Sequence, residues 1–302
     1  LLCFSAEKTR GQATGAAQDR SQLFRTEPGL RFSGEPGSGG EDLGYASSSA
    51  NDADLGVQAL LKRETEYQPF SITVSAPYYY TSNVALSRNG EMGDGVFSPS
   101  IAFAYQPKLA KTLYVELIVA QQLFYYNDND VFNFGSFDAI AGLVYYLPQY
   151  HNLTLRGRYD FNRLTTDSFD EFFANHALDF SAEMPFQFGR ALQLTMGVSA
   201  DVSLAATPSA PQRSEFDAYA GLQAQLSRSF SLDAVTRIAV KDYYQGGRTD
   251  MSEFLSLSAS YRIREWLTVT ALTSFVWNQS NQSVFDYSVY NLGGAIALTV
   301  KF

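Results

Sequence analysis

The sequence has little cysteine, little histidine and no long apolar run. Its 302 residues include one Cys and two His. A single cysteine, Cys3, excludes a disulfide framework, a CxxC redox pair and a thiolate metal site. Two histidines leave few metal ligands, so we expect no cofactor. No apolar stretch reaches the roughly 18 residues that a membrane-crossing helix needs.

Basic residues are also scarce. There are 22 Lys and Arg against 31 Asp and Glu, which gives a net charge of -9. Nucleic-acid binding requires a surplus of bases to neutralise phosphates, so this function is excluded. Aromatic residues are plentiful instead, with 19 Tyr and 23 Phe. The length suits two globular domains or one large all-β unit, and the composition favours the second.

Residues 1–66 differ in composition from the rest. The chain opens LLCFSAEKTR, and the apolar stub that ends at Ser5-Ala6 is typical of the end of a secretory signal peptide. Gly, Ser, Ala and charged residues dominate from Glu7 to Asp54, which predicts a flexible periplasmic tail. Residues 55–66 favour one short helix. A tether or a plug in a barrel lumen is the alternative to a disordered tail.

From residue 67 onwards the apolar pattern has a period of two. In the last segment Leu292, Ile296 and Leu298 alternate with small or polar residues such as Ala295 and Thr299. Such alternation indicates strands with two different environments. Twelve segments follow this rule: 67–80, 95–106, 112–126, 134–147, 151–163, 173–186, 191–204, 215–227, 230–244, 250–263, 266–278 and 286–302.

The strand lengths and connectors indicate a transmembrane barrel. The segments reach the roughly 9 to 11 residues that a tilted membrane-spanning strand needs. Tight connectors alternate with mostly longer, polar ones, as in up-and-down barrels, and an even strand count places both barrel termini on the short-turn side. We therefore predict an all-β, antiparallel up-and-down barrel of about 12 strands over residues 67–302, with a disordered N-terminal extension.

A lipid-facing barrel must be distinguished from a soluble, lipocalin-like one. The polar face carries small residues such as Ser256, Ser258 and Ser260, where a solvated surface would carry Lys and Glu. Twelve strands also exceed the roughly eight whose interior side chains can fill. Aromatic residues gather at both strand ends, as two membrane interfaces require. They are Tyr78, Tyr79, Tyr80, Tyr125, Tyr126, Phe172, Phe173, Tyr243, Tyr244 and Trp277 at the loop end, and Tyr105, Phe186, Phe230, Trp266 and Phe302 at the turn end.

The final strand, IALTVKF, ends the chain at the aromatic Phe302. It resembles the C-terminal signature of the Gram-negative outer-membrane β-barrel superfamily, and the resemblance covers residues 67–302. It implies a bacterial outer-membrane location, with lipid and lipopolysaccharide around the barrel. It also implies that Phe302 acts as the assembly signal that the outer-membrane assembly machinery engages.

An apolar face towards lipid places a set of charged residues in the lumen. We interpret them either as a charged constriction that filters small polar solutes or as a salt-bridge network that fills the lumen. The predicted lumen-lining residues are Glu116, Asp138, Arg156, Arg158, Asp160, Asp179, Glu183, Asp201, Asp217, Asp233, Arg237, Lys241, Arg262 and Lys301. The loop end is acidic, which predicts attraction of cations at low salt. The alternatives are divalent-ion binding among lipopolysaccharide phosphates and ordinary solvated loops. Its predicted charges are Glu91, Asp94, Asp128, Asp130, Asp167, Asp170, Glu171, Glu215, Asp250 and Asp286 against Arg88, Arg213 and Arg248.

Catalytic and metal motifs are not found. His176 and Ser203 are candidates for a base and a nucleophile, but their parity predicts opposite faces of the sheet, out of hydrogen-bond reach. NDND at 127–130 lacks the Gly and Glu that a Ca²⁺ loop requires further along. We therefore predict no enzymatic activity.

The sequence thus predicts a porin-like passive channel for small polar or cationic solutes. The alternative is a closed structural or partner-binding outer-membrane barrel with acidic extracellular loops.

Overall fold

One antiparallel sheet that closes on itself dominates the structure, a computed structural model that describes residues 14–22, 67–189 and 191–302. Within these residues, no helix is long and apolar enough to cross a membrane. The strands are β1 (Phe70–Thr81), β2 (Asp94–Phe97), β3 (Ser100–Tyr105), β4 (Leu113–Tyr126), β5 (Phe134–Leu147), β6 (Leu153–Thr165), β7 (Glu171–Phe188), β8 (Leu192–Thr207), β9 (Arg213–Gln225), β10 (Phe230–Tyr243), β11 (Thr249–Arg264), β12 (Leu267–Ser280) and β13 (Tyr287–Lys301). Helix α1 spans residues 14–22.

The segments β2 and β3 together make one barrel strand. Both lie between β1 and β4, with Val96 of β2 opposite Tyr79 and Ile101 of β3 opposite Val74. The break falls at Ser98-Pro99, because proline has no N–H to donate to a neighbouring strand. The sheet therefore counts twelve barrel strands, and the predicted fold class is confirmed.

The first and last strands close the barrel. They pair from Ser71 opposite Lys301 to Thr81 opposite Asn291. At the chain end, the Phe70 amide donates to the Phe302 carbonyl at 3.1 Å and the Phe302 amide donates back at 3.0 Å. The two rings stack with centroids 5.7 Å apart. The terminal aromatic residue therefore completes the barrel seam.

The two faces of the sheet have the predicted character. Large apolar side chains cover the outer face, where Leu257, Phe180 and Leu292 are 50%, 52% and 53% exposed. Such a continuous apolar surface requires lipid. The aromatic girdle is only partly as predicted, because alternate residues of a strand point to opposite faces. The outward Tyr78 and Tyr80 are exposed, whereas Tyr79 between them is fully buried.

Several residues that we expected in loops belong to the barrel wall. Arg213 begins β9 and Glu215 follows it, and they are 3% and 5% exposed. Asp250 of β11 and Asp94 of β2 are 1% and 2% exposed. Their assignment to the loops was wrong. The strands begin one or two residues before the predicted segments, so Asp94 and Arg213 lie within strands, and Glu215 and Asp250 are no longer at strand ends.

The flexibility that we expected for residues 7–54 does not hold for α1. Its residues include Ala16 and Ala17, which have high helix propensity. A helix of this length is marginal in water, so contacts must hold it. Ala16 packs in a buried cluster with Leu86, Val276 and Val289. The expected helix at 55–66 and the expected cleavage site at Ser5-Ala6 lie outside the described residues.

Gly293 gives a test of the seam. A Cβ at this position would lie 2.3 Å from the Tyr78 carbonyl oxygen and 2.3 Å from the Tyr79 Cβ. We expect Gly293→Ala to lower the free energy of unfolding by about 1 to 3 kcal/mol, since the β1 backbone must shift. Urea unfolding in detergent micelles measures this.

Gly157→Ala is the matched control, because its Cβ would meet only the Phe180 ring, at an ordinary 3.6 Å. Equal destabilisation by the two substitutions would contradict the close approach of β1 and β13.

Candidate functional site

A row of charged residues crosses the lumen wall through successive strand partners. The row contains five acids and two bases. In order from β4 to β11, its members are Glu116, Gly142, Arg158, Asp179, Asp201, Glu215, Lys241 and Asp250. We call these eight residues the acidic row.

Asp201 is the centre of the acidic row. Asp179 stands directly opposite it on β7, and Glu215 stands directly opposite it on β9. Like charges in directly opposed positions repel one another. Asp179 is bound by Arg158 at 2.9 Å, and Glu215 is bound by Arg213 at 3.2 Å. Within the described ranges, Asp201 has neither a hydrogen-bond partner nor an ion pair, so the row carries an acidic surplus at this point.

Gly142 allows Arg158 to reach across its neighbouring strand. An added Cβ at Gly142 would lie 2.7 Å from the Arg158 Cγ and 2.6 Å from the Gly157 carbonyl oxygen. Arg158 passes over this gap and brings its Nη1 to 3.6 Å from the carboxylate of Glu116, which is fully buried. Gln106 Nε2 donates to the same carboxylate at 2.9 Å. A buried carboxylate needs such partners, because burial without them is costly.

The other predicted lumen residues mostly lie on the same wall. Glu183 is bound by Arg156 at 2.8 Å and accepts a hydrogen bond from Tyr219 at 3.0 Å. Asp217 lies 3.8 Å from Arg237, and Asp138, Asp160 and Asp233 are buried or half-buried on the inward face. Arg262 is half-buried and Lys301 is exposed, both near the turn end. The predicted set therefore forms one charged wall over β4–β10, with Arg262 of β11 and Lys301 of β13 outside it.

The opposite wall is lined by small side chains. On β11, β12, β13, β1 and β3 the inward residues between the strand ends are mostly Ser, Thr, Ala, Asn and Gly. They include Ser256, Ser258, Ser260, Thr270, Ser274, Asn291, Ala295, Ala297, Thr73, Ser75, Ser100 and Ala102. Small side chains leave lumen volume that large ones fill. We call this surface the small-residue wall.

Helix α1 sits in the loop end of the lumen and places Asp19 against three strands. Arg213 Nη2 donates to Asp19 Oδ1 at 2.6 Å, and Lys241 Nζ donates to the same oxygen at 2.9 Å. Tyr287 Oη donates to Oδ2 at 3.2 Å. Burial would raise the pKa of the Asp19 carboxyl, but the two cations outweigh it and hold that pKa well below its usual range. Asp19 is therefore ionised at neutral pH.

Arg20 binds a different part of the mouth. Its Nε donates to the Val84 carbonyl at 3.1 Å, and its Nη2 donates to the Asn83 carbonyl. The guanidinium also lies 5.7 Å from the Tyr126 ring centroid. Arg20 is 2% exposed. The sequence interpretation missed both Asp19 and Arg20. The neighbouring alanines are the only sequence signal of a helix here, because α1 has no apolar stripe and is held mainly by its charged side chains.

The geometry also bears on catalysis and metals. Ser203 Oγ donates to Asn175 at 2.6 Å in the lumen. His176 contacts Tyr159 on the outer face, so the two candidate residues lie on opposite faces as predicted. No group of three or more metal-ligating side chains occurs in the portion of the chain that the structure describes.

Comparison with solved structures identifies the fold. The barrel matches an outer-membrane channel of Pseudomonas putida with a TM-score of 0.57 at 10% identity, covering 78% of this chain and 98% of that one. It also matches the translocator domain of the autotransporter NalP from Neisseria meningitidis, with a TM-score of 0.47 at 12% identity over 80% and 90% of the two chains. The fold is that of the bacterial outer-membrane barrels. No protein-family model and no curated sequence relative match this chain.

The Gly142 gap can be tested in this outer-membrane barrel by a double-mutant cycle. We expect Gly142→Ala to displace Arg158 and to cost about 2 to 3 kcal/mol of unfolding free energy, since it leaves Glu116 buried without its cation. In a Glu116→Gln background the same substitution should cost at least about 1 kcal/mol less, because a neutral amide needs no cation. Urea unfolding of the four proteins gives the coupling, and strictly additive costs would contradict it.

Proposed function

We propose that this protein is a passive, porin-like channel in the outer membrane of a Gram-negative bacterium, and that it conducts small polar solutes with a preference for cations. The observation that carries the proposal is the acidic surplus around Asp201, facing a lumen whose other wall has small side chains. The proposed channel has no cofactor and no enzymatic activity.

The two walls support this proposal in different ways. The small-residue wall provides room for water and solute, and its Ser and Thr hydroxyls offer hydrogen bonds. The acidic row provides a negative potential, which a lumen of low-dielectric walls focuses. The two bases of the row, Arg158 and Lys241, are engaged by Asp179 and Asp19 respectively. Asp201 is therefore the charge that a passing cation meets.

The seated helix α1 favours a second candidate, a closed barrel that binds a partner. In that case α1 is a permanent part of the wall, and the ion pairs of the charged wall only stabilise the barrel. In the channel proposal α1 closes the loop end and conduction requires it to leave. Current through the full-length chain separates the two candidates.

The surroundings of the channel are proposed on the same basis. The exposed apolar belt fits outer-membrane lipid with lipopolysaccharide on the loop side, and the acidic loops suit the divalent ions between lipopolysaccharide phosphates. The stacked pair of Phe70 and Phe302 at the seam supports a role for Phe302 as the signal for the assembly machinery.

Ion selectivity tests the acidic row. We expect the channel, recorded at low salt in a planar bilayer with a KCl gradient, to give the reversal potential of a cation-selective pore. Asp201→Asn should lower the K⁺ to Cl⁻ permeability ratio by about threefold, because it removes the charge without a partner. Asp167→Asn, which changes an exposed loop acid, is the control and should leave the ratio unchanged. An anion preference would contradict the proposal, as would equal effects of the two variants.

Open probability tests the role of α1. We expect Asp19→Asn to raise the open fraction of the channel that includes α1 by about tenfold or more, since it removes the negative charge that strengthens the hydrogen bonds from Arg213 and Lys241. Single-channel recording measures this.

Gly15→Ala is the matched control for α1, because its Cβ would meet nothing within 4 Å and alanine favours the helix. The open fraction should then stay the same or fall. Silence from every variant in folded protein would favour the closed barrel instead.

A further inference from the structure

Helix α1 presents two adjacent and opposite charges to two separate pockets in the loop end of the lumen. Asp19 and Arg20 are 7% and 2% exposed, so both charges are removed from water. Asp19 is bound by residues of β9, β10 and β13, whereas Arg20 is bound beyond the end of β1 and at β4. The binding groups of both pockets belong to the barrel rather than to α1.

The first pocket is built for a carboxylate. Arg213, Lys241 and Tyr287 come from three strands and converge on the two oxygens of one carboxyl group. Arg213 is held in place by other partners, since its Nη1 donates to Tyr243 at 3.0 Å and its Nη2 to Glu215 at 3.2 Å. When α1 leaves, two buried cations face one site without the anion between them. Two buried cations without an anion between them cost free energy, so the empty pocket still favours binding of an anion.

The second pocket is built for a cation. The carbonyl oxygens of Asn83 and Val84 accept from the guanidinium, and the ring of Tyr126 lies at cation–π distance. Carbonyl oxygens and an aromatic face bind a cation without a fixed negative charge. Asn83 is positioned by its own side chain, whose Nδ2 donates to the Ser87 carbonyl at 2.8 Å and to the Ser288 carbonyl at 3.1 Å. The carbonyls therefore do not depend on α1 for their position.

We infer that these two pockets form a binding site for a small solute that carries both a carboxylate and a cationic group, such as a basic amino acid or a short basic peptide, and that α1 occupies this site as an internal ligand. The inference deepens the proposed channel function and rests on it for the fate of the solute. A solute that takes both pockets displaces α1 and opens the loop end. The acidic row below, with Asp201 at its centre, then receives the cationic group.

The test measures whether α1 is seated, without using current. In a full-length Cys3→Ser chain, Ala16→Cys places a thiol on α1 where the residue is 8% exposed. A water-soluble maleimide labels this thiol only when α1 leaves its site. Ser168→Cys in the same background lies on an exposed loop and controls for the reactivity of the reagent.

Three solutes at matched ionic strength separate the two pockets. Arginine carries a carboxylate and a guanidinium, agmatine keeps the guanidinium without the carboxylate, and citrulline keeps the carboxylate with a neutral urea group. We expect arginine at about 10 mM to accelerate labelling of Ala16→Cys by about fivefold in a saturable manner, with little effect of agmatine or citrulline. Lys241→Gln should raise the basal labelling rate and abolish the response to arginine.

Three labelling results overturn the inference. If arginine does not change the labelling rate, the binding site is excluded. If arginine and agmatine accelerate labelling equally, charge screening rather than a two-part site releases α1. Fast labelling without any solute shows that α1 is not seated. If arginine accelerates labelling but no variant conducts, the binding site stands and the proposed channel fails. If the channel conducts but arginine has no effect on labelling, the proposed channel stands and the binding site fails.

Discussion

The burial of charged side chains inside the closed sheet is the constraint on which the rest of this structure depends. A strand with one face towards lipid directs most of its polar residues inwards, where charged side chains lie against one another. Among the described residues, most inward charges therefore have a partner on a neighbouring strand or across the lumen, whereas Asp201, whose two acidic neighbours are paired, has none. Glu116 is fully buried and binds Arg158 over the gap at Gly142. The register of the strands fixes which charges meet.

The same constraint explains why a helix with little apolar surface occupies the loop end. Arg213 and Lys241 lie close together near the mouth, and Glu215 alone does not neutralise both. Asp19 supplies the second negative charge, and Arg20 next to it binds carbonyl oxygens that the chain exposes after β1. The position of α1 is thus set by charge complementarity. A free molecule with the same two charges therefore fits the site that α1 occupies.

The barrel could be predicted from the sequence because lipid imposes a strict period of two. The pattern of β13 places Leu292 outwards and Asn291 inwards, and the structure has them 53% and 1% exposed. Strand ends were less predictable, since nothing in the local pattern marks where β9 begins, and Arg213 and Glu215 were assigned to a loop. Helix α1 could not be predicted, because the side chains that bind Asp19 lie about 200 or more residues away in sequence and the composition of α1 resembles that of a disordered segment.

The most direct test of this account is whether α1 lies in the lumen of the membrane-inserted protein. Ala16 and Val289 belong to the same buried cluster, so Ala16→Cys and Val289→Cys can be combined in the Cys3→Ser chain and joined by a bifunctional methanethiosulfonate reagent. We expect a reducible cross-link between α1 and β13 in the folded barrel, with currents that stay at the closed level until a reductant is added. A folded barrel that forms no such cross-link, or whose currents do not depend on it, would contradict this position of α1.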